Sequence, residues 1–209
     1  DIQGMKFARD AQGRIIIDKD GKPTKDKMGI VGNPNPDFML GWSNSLTYGP
    51  FSLNLLIDGR FGGEVMSITQ AMIDELGVSK ASADARDAGS YTINGAKADG
   101  SAVSSIDPKT FFQTVGGRAG ITENYVYDAT NIRFRELAIG YRFPKSVVNN
   151  WGPVKGLRLS FVARNLGFLT KKAPFDPELS MSTGTGLQGV DSFAQPAVRS
   201  FGLNLNATF

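Results

Sequence analysis

Alternation with a period of two is the strongest constraint in this chain, and it recurs in five separate stretches. In the first, Phe38, Leu40, Trp42, Leu46 and Tyr48 share one parity, and Met39, Gly41, Ser43, Ser45 and Thr47 share the other. Asn44 interrupts the apolar set, so a bulge or register shift is expected there. After Gly49-Pro50, the residues Phe51, Leu53, Leu55 and Ile57 oppose Ser52, Asn54, Leu56 and Asp58, which predicts a hairpin with a very short turn. A third strand is expected over 131–143, with Leu137, Ile139 and Tyr141 apolar and Glu136, Ala138, Gly140 and Arg142 opposite. The fourth, over 156–165, alternates Leu157, Leu159, Phe161 and Ala163 with Arg158, Ser160, Val162 and Arg164. The fifth sets Phe201, Leu203, Leu205, Ala207 and Phe209 against Gly202, Asn204, Asn206 and Thr208.

The chain is therefore all-β, and its second face decides the class. A soluble sandwich turns that face to bulk water and fills it with Lys, Glu and Thr. Here it carries Gly, Ser, Asn and a few Arg or Asp, while the apolar face is aromatic toward the strand ends (Phe38, Tyr48, Phe51, Tyr141, Phe143, Phe209). Lumen and lipid faces of a transmembrane β-barrel with aromatic girdles read this way. A secreted all-β carbohydrate-binding or adhesion module is the alternative that alternation alone leaves open.

Link lengths favour the barrel. Gly49-Pro50 is short, the link from 61 to 130 is long, the one at 144–155 is shorter, and 167–196 is long again. Short periplasmic turns alternating with long extracellular loops give that rhythm. Stretches 1–37, 61–130 and 167–196 would all lie outside the cell. Within them, 13–21 reads as a small hairpin, and 67–77 has helical spacing, with Ser67 as N-cap and Gly77 as stop. Bacterial single-chain barrels have ~8 or more strands and no open edges, so five strands imply the C-terminal piece of something larger. The opening at Asp1, without an initiator Met or a leader, suits a processed end, an engineered boundary or the interior of a longer chain.

Composition removes other classes. The chain has no Cys and no His, which excludes disulfide scaffolds, thiolate catalysis, Ser-His-Asp triads and HExxH zinc sites. No carboxylate pair has a defensible catalytic spacing, so no enzyme, cofactor or metal site is expected. A net charge of +3 without a Lys/Arg block gives no case for nucleic acid. Gly184–Gly189 matches G-x-G-x-x-G but lacks the strand and helix that give the motif its mechanism, and a surface loop is expected. Asp18, Asp20 and Gly21 have the wrong order for a calcium loop and read as a turn. The sequon Asn206-Ala-Thr208 lies inside a strand and is discounted.

Candidate site residues are few. Asp58, Arg158 and Arg164 share the polar parity and are lumen-facing candidates, either touching solute or plug or forming an interior charge ladder. Arg133 and Arg135 fall on the apolar parity, where an outer-rim position would let them meet lipopolysaccharide phosphates. Tyr91, Tyr125, Tyr127, Phe168 and Phe175 are open to stacking on sugars, or to packing in the loops or against a partner. Phe201, Leu203, Leu205 and Phe209 form an aromatic-ended apolar set that reads as a C-terminal assembly signal.

Longer motifs carry a resemblance. Gly32-Asn-Pro-Asn-Pro-Asp-Phe38 with Gly41 and Asn44, then Tyr127–Pro144, Leu157–Leu166, Phe175-Asp-Pro-Glu178 and Pro196–Phe209, resemble SusC/RagA-type TonB-dependent transporters in family order. The resemblance implies an outer-membrane barrel of about 22 strands with an N-terminal plug, neither of which is complete in this chain. It also implies TonB, acting through the absent N-terminal part, and a SusD-like surface lipoprotein that lids the barrel. Energised import of oligosaccharides or oligopeptides across the outer membrane of a Gram-negative cell is the function it implies.

Overall fold

The computed structural model describes every residue except 150, 183 and 185. In chain order the first strands are β1 (Ile2–Phe7), β2 (Ile15–Ile16), β3 (Lys25–Gly32), β4 (Phe38–Tyr48), β5 (Phe51–Phe61) and β6 (Glu64–Ser67). Helices α1 (Ile68–Glu75) and α2 (Lys80–Ala88) follow, then β7 (Tyr91–Ala96), β8 (Ala102–Ile106) and α3 (Pro108–Val115). After a 3-10 turn at Thr122–Tyr125 come β9 (Val126–Asp128), β10 (Asn131–Arg142), α4 (Lys145–Val148), β11 (Gly156–Lys171), β12 (Val190–Asp191) and β13 (Ser200–Thr208). The fold is mostly antiparallel sheet. The chain forms two compact units.

One unit comprises 36–62, 129–177 and 196–209. It is built on a five-stranded antiparallel sheet in the order β13-β11-β10-β5-β4. All five expected strands are present, and β4 and β5 meet through Gly49-Pro50, where Gly49 takes a left-handed φ of 56°. Register aligns the apolar parities across the whole sheet: Leu46 faces Leu53, Leu53 faces Ile139, Ile139 faces Phe161, and Phe161 faces Leu203. One face is thereby hydrocarbon and ring apart from Asn44, and much of it is exposed, with Trp42 at 53% and Leu203 at 75%.

Three expectations change here. Asn44 makes no bulge; it stays in register opposite Leu55 and holds its place on the apolar face. The bulge lies in β10 instead, where Phe134 faces Ile57 and Glu136 faces Leu56, leaving Arg135 as the extra residue. That insertion reverses the parity of everything before it. Arg133 consequently faces Asp58 on the polar side, so neither arginine occupies the apolar rim inferred from simple counting. Strand β11 also runs on to Lys171, past the expected end at 165.

The second unit comprises 1–35, 63–128 and 178–195, so three stretches far apart in sequence build one body. Its core gathers Phe7, Ile17, Ala71, Phe111, Phe112, Val115, Ile121 and Tyr125. Tyr91 stacks on Phe111 at 4.0 Å, and Phe111 meets Phe112 edge-on at 5.3 Å. Burying rings of this size contributes on the order of 2–3 kcal/mol each. Small sheets surround the core: β1 pairs with β3, β7 lies between a parallel β2 and an antiparallel β8, and β6 lies between β9 and a parallel β12.

Helix α1 fulfils the expected capping. Ser67 Oγ accepts from the Gln70 amide at 3.0 Å, and Gly77 adopts a φ of 71° just past the end. Helices α2 and α3 add to it. Asp107 caps α3 by accepting from the Thr110 amide at 2.8 Å, with Pro108 in the first turn, where a missing N–H costs nothing. The 18–21 turn forms as anticipated: Asp18 Oδ1 accepts from the amides of Asp20 and Lys22. Of the 184–189 stretch, Thr185 lies outside the described residues; the chain beyond it enters β12 rather than a helix.

Candidate functional site

The polar face of the five-stranded sheet collects the charges. Asp58 accepts from Arg135 Nε at 2.6 Å, both side chains being about three-quarters buried. Arg164 Nε donates to Glu136 at 2.8 Å across β10 and β11, in a more exposed setting. Arg158 Nη2 donates to Ser52 Oγ at 2.6 Å. The three candidates Asp58, Arg158 and Arg164 thus share a face without meeting one another. Asp58 and Arg164 pair with Arg135 and Glu136, whereas Arg158 takes a hydroxyl.

Counting parity from sequence missed Arg135 as the partner of Asp58, because the bulge carries the information and alternation does not; Glu136 was already on the polar parity, and only its pairing with Arg164 was hidden. The signal available was chemical: two arginines on an otherwise hydrocarbon parity cost several kcal/mol in lipid unless the register changes.

At the far end of β10 the environment tightens. Arg133 is 3% exposed, its Nη2 donates to Asp176 at 2.6 Å, and its guanidinium lies 4.1 Å from the centre of the Phe168 ring. Lys171 Nζ donates to the carbonyls of Pro174 and Phe175 at 3.0 and 3.2 Å. Residues 171–176 are therefore pinned to the sheet by a cation–π stack, an ion pair and two carbonyl contacts. Phe168, counted among the loop aromatics, is committed to this cluster.

The apolar face holds the other predicted set. Phe201, Leu203 and Leu205 line it on β13, with Phe201 stacked against Phe161 at 6.2 Å, and Phe209 follows, exposed.

In the other unit the tyrosines go inward. Burial and then the nearby Asp74 raise Tyr125 far above the ordinary range, and the same two causes with Tyr91 push Tyr127 up to about 12. Tyr91 is raised by burial and by Asp74. Asp74 itself, 4% exposed, accepts from Gln70 Nε2 at 2.8 Å. These rings pack in the core instead of standing ready for a sugar. A cavity of about 580 Å³ in the same unit is lined by Ile2, Met66, Ile68, Met181, Leu187 and Val190, with Arg118 at its wall. Among the described residues, no three acidic side chains converge as a metal site.

No family model matches the sequence. The chain is 30% identical to TonB-dependent receptor P3 of Formosa agariphila over 208 residues, covering 96% of this chain and 19% of that protein. It is 28% identical to TonB-dependent receptor P39 of the same organism, over 100% of this chain and 20% of the relative. The chain is a portion of a TonB-dependent receptor. The ordered motifs from Gly32 to Phe209 resemble those of the SusC/RagA type. It spans about a fifth of the length of the curated relatives it matches.

In fold, the receptor portion superposes on the RagAB peptide importer in its open-open state with a TM-score of 0.63, at 16% identity, over all of this chain and 22% of that one. The RagAB peptide transporter gives 0.59 at 17% identity, over 100% and 22%.

Proposed function

We propose that the parent of this chain is an outer-membrane importer of a Gram-negative bacterium, in which the five-stranded sheet is the C-terminal section of the barrel wall. The observation that carries this reading is the face asymmetry of that sheet. Apart from Asn44, its apolar side is continuous and exposed across β13, β11, β10, β5 and β4, and its other side is polar and ion-paired. Water would penalise the first face and lipid the second, so the sheet belongs between the two. Asp58, Arg158 and Arg164 then face the lumen. Phe201, Leu203, Leu205 and Phe209 face lipid, where they serve as the assembly signal.

Stretches 1–37, 61–130 and 167–196 are extracellular in this reading, on the side where a SusD-like lipoprotein lids the opening. TonB energises uptake through parts of the receptor outside this chain. The cargo is an oligopeptide or an oligosaccharide; likeness to a peptide importer and the inward-turned loop tyrosines support the peptide. Deleting the parent gene tests it. Loss of growth on peptides as sole nitrogen source, with growth on glycans intact, is the expected result. Recovery of the full-length parent in the aqueous phase without detergent would instead favour a secreted module.

A further inference from the structure

The two-stranded ribbon of β1 and β3 has one edge covered and one edge open. On β1 the Met5 amide donates to Thr122 Oγ1 at 2.9 Å and the Phe7 amide to Glu123 Oε2 at 2.7 Å, so side chains satisfy the groups that face outward. Met5 therefore turns its main chain away from β3, and its partner Met28 turns away from β1, as both members of a non-hydrogen-bonded pair do. The next pair, Gly4 with Gly29, faces inward, and the one after it, Gln3 with Ile30, faces outward again. The N–H and C=O groups of Met28 and Ile30 thus line an edge that no strand pairs with, and among the described residues no side chain caps them. Open edges are templates for another extended chain, and proteins commonly cover or blunt them.

Side chains give this edge two unlike faces. Met28 and Ile30 share one, at 63% and 54% exposed. Lys27 lies on the other with Gly29, and Lys6 of β1 extends over that glycine, its Nζ 3.6 Å from where a Cβ would stand. Nearby, Lys25 Nζ donates to the Ala119 carbonyl. Among the described residues neither Lys6 nor Lys27 has an ion pair. Asp26 is the one acid of the ribbon against these three lysines. One face is apolar, and the ribbon as a whole is cationic.

We propose that the open edge of β3 binds an extended acidic peptide by strand addition, with its apolar side chains beside Met28 and Ile30 and its carboxylates beside Lys27 and Lys6. Main-chain donors and acceptors alternating at strand spacing are what a polypeptide offers and a glycan lacks, so the edge selects the chemical class. The two faces then select the pattern within that class. Because the main chain supplies much of the affinity, many sequences fit as long as apolar and acidic residues alternate. The same lysines turn away basic strands and deter chance pairing of the edge. The site rests on the oligopeptide reading, in which 1–37 lies outside the cell.

The test is binding of a labelled synthetic peptide alternating Val and Glu to the full-length parent in membrane vesicles, read by fluorescence anisotropy. Two further peptides carry N-methyl groups on alternate residues, one in each phase, and a third replaces Glu by Lys. One methylation phase should weaken binding about tenfold and the other leave it nearly unchanged, since only alternate amides face β3. Ile30→Pro removes an outward N–H that the ribbon does not use, and should weaken binding about tenfold as well. Lys6→Glu/Lys27→Glu should transfer the preference to the Val/Lys peptide. Equal losses from the two methylation phases, binding indifferent to Ile30→Pro, or a preference unmoved by charge reversal would each overturn the site. Uptake of mixed peptides by cells carrying the wild-type parent separates the two readings. Uptake with those arms failing defeats only the edge, whereas no peptide uptake at all defeats the oligopeptide reading beneath it.

Discussion

Arg135 occupies the bulge of β10, and from there its Nε reaches Asp58 on β5 at 2.6 Å. The bulge and the ion pair form one device: the bulge sets Arg133 on the polar side, and its extra residue neutralises the carboxylate that Arg133 faces. Deleting Arg135 removes the extra residue and leaves Phe134 opposite Ile57 and Arg133 opposite Asp58, so the faces are kept and the ion pair is lost. Arg135→Ala keeps the count and loses only the pair. Folded parent recovered from membranes should fall modestly and to a similar extent for both. A sharp fall for the deletion alone would mean that the bulge itself, and not only its ion pair, is required.

The Arg133–Asp176 ion pair is nearly enclosed, with side chains 4% and 11% exposed. Removing one partner of such a pair strands the other, at a cost of about 3–5 kcal/mol. Asp176→Ala should therefore release 172–177 to limited proteolysis and lower the parent's unfolding temperature. Arg133→Met/Asp176→Leu should recover most of the loss. A double variant as labile as the single one would show that Phe168 and Lys171 alone do not hold the segment.

Face assignment can be read from matched arginines. Leu55→Arg near mid-bilayer should cost roughly 2–4 kcal/mol of barrel stability, and Asn54→Arg much less. Leu203→Arg and Asn204→Arg should repeat the contrast on β13. Refolding titrations into lipid vesicles measure both pairs, and similar losses within a pair would reject the assignment.

Ser67 joins two elements: its Oγ accepts from the Gln70 amide and donates to Asp191 at 2.7 Å in a buried setting. Ser67→Ala loses a cap worth about 1 kcal/mol and leaves a buried carboxylate short of a donor, adding about 1–3 kcal/mol. Amide exchange in α1 and at 190–191 should accelerate together. Acceleration in α1 alone would show that the strand does not depend on that hydroxyl.

Alkali should loosen the loop-built unit. Tyr127 is pushed up to about 12 by burial, Asp74 and Tyr91, against an unfolded value near 10. A raised folded value means that the stabilising contribution is full below about pH 10 and is lost as pH climbs through about 12. Tyrosinate absorbance of the parent should show a late-titrating fraction that shrinks in Tyr127→Phe. An unchanged late fraction would assign it elsewhere.

Much of this was readable from the chain, and the limits are physical. The strands of the sheet and the capped helix α1 were visible because alternation and capping are local: Leu53, Ile139 and Phe161 declare their face by parity, and Ser67 and Gly77 declare their positions by type. The bulge at Arg135 was invisible because it is fixed by cross-strand pairing with Ile57 and Leu56, which no single stretch records. Helix α2, with Lys80, Ser82, Asp84 and Arg86 along it, has too little apolar periodicity to announce itself and forms through its Ser79 and Gly89 caps and packing on α3. The partners of Arg164 and Arg133 were equally hidden, since Glu136 and Asp176 are distant in sequence and meet them only after folding.

Because the core around Phe7, Ala71, Phe111 and Tyr125 draws on segments separated by strands of the sheet, no one of them is a transplantable loop. A chimera that exchanged 63–128 alone with a relative would sever Thr122 Oγ1 from the Met5 amide and Asp191 from Ser67. Diversification of this surface therefore has to proceed in concert. Cargo preference carried by it would be inherited as a block of three segments, with drift in any one held back by the other two.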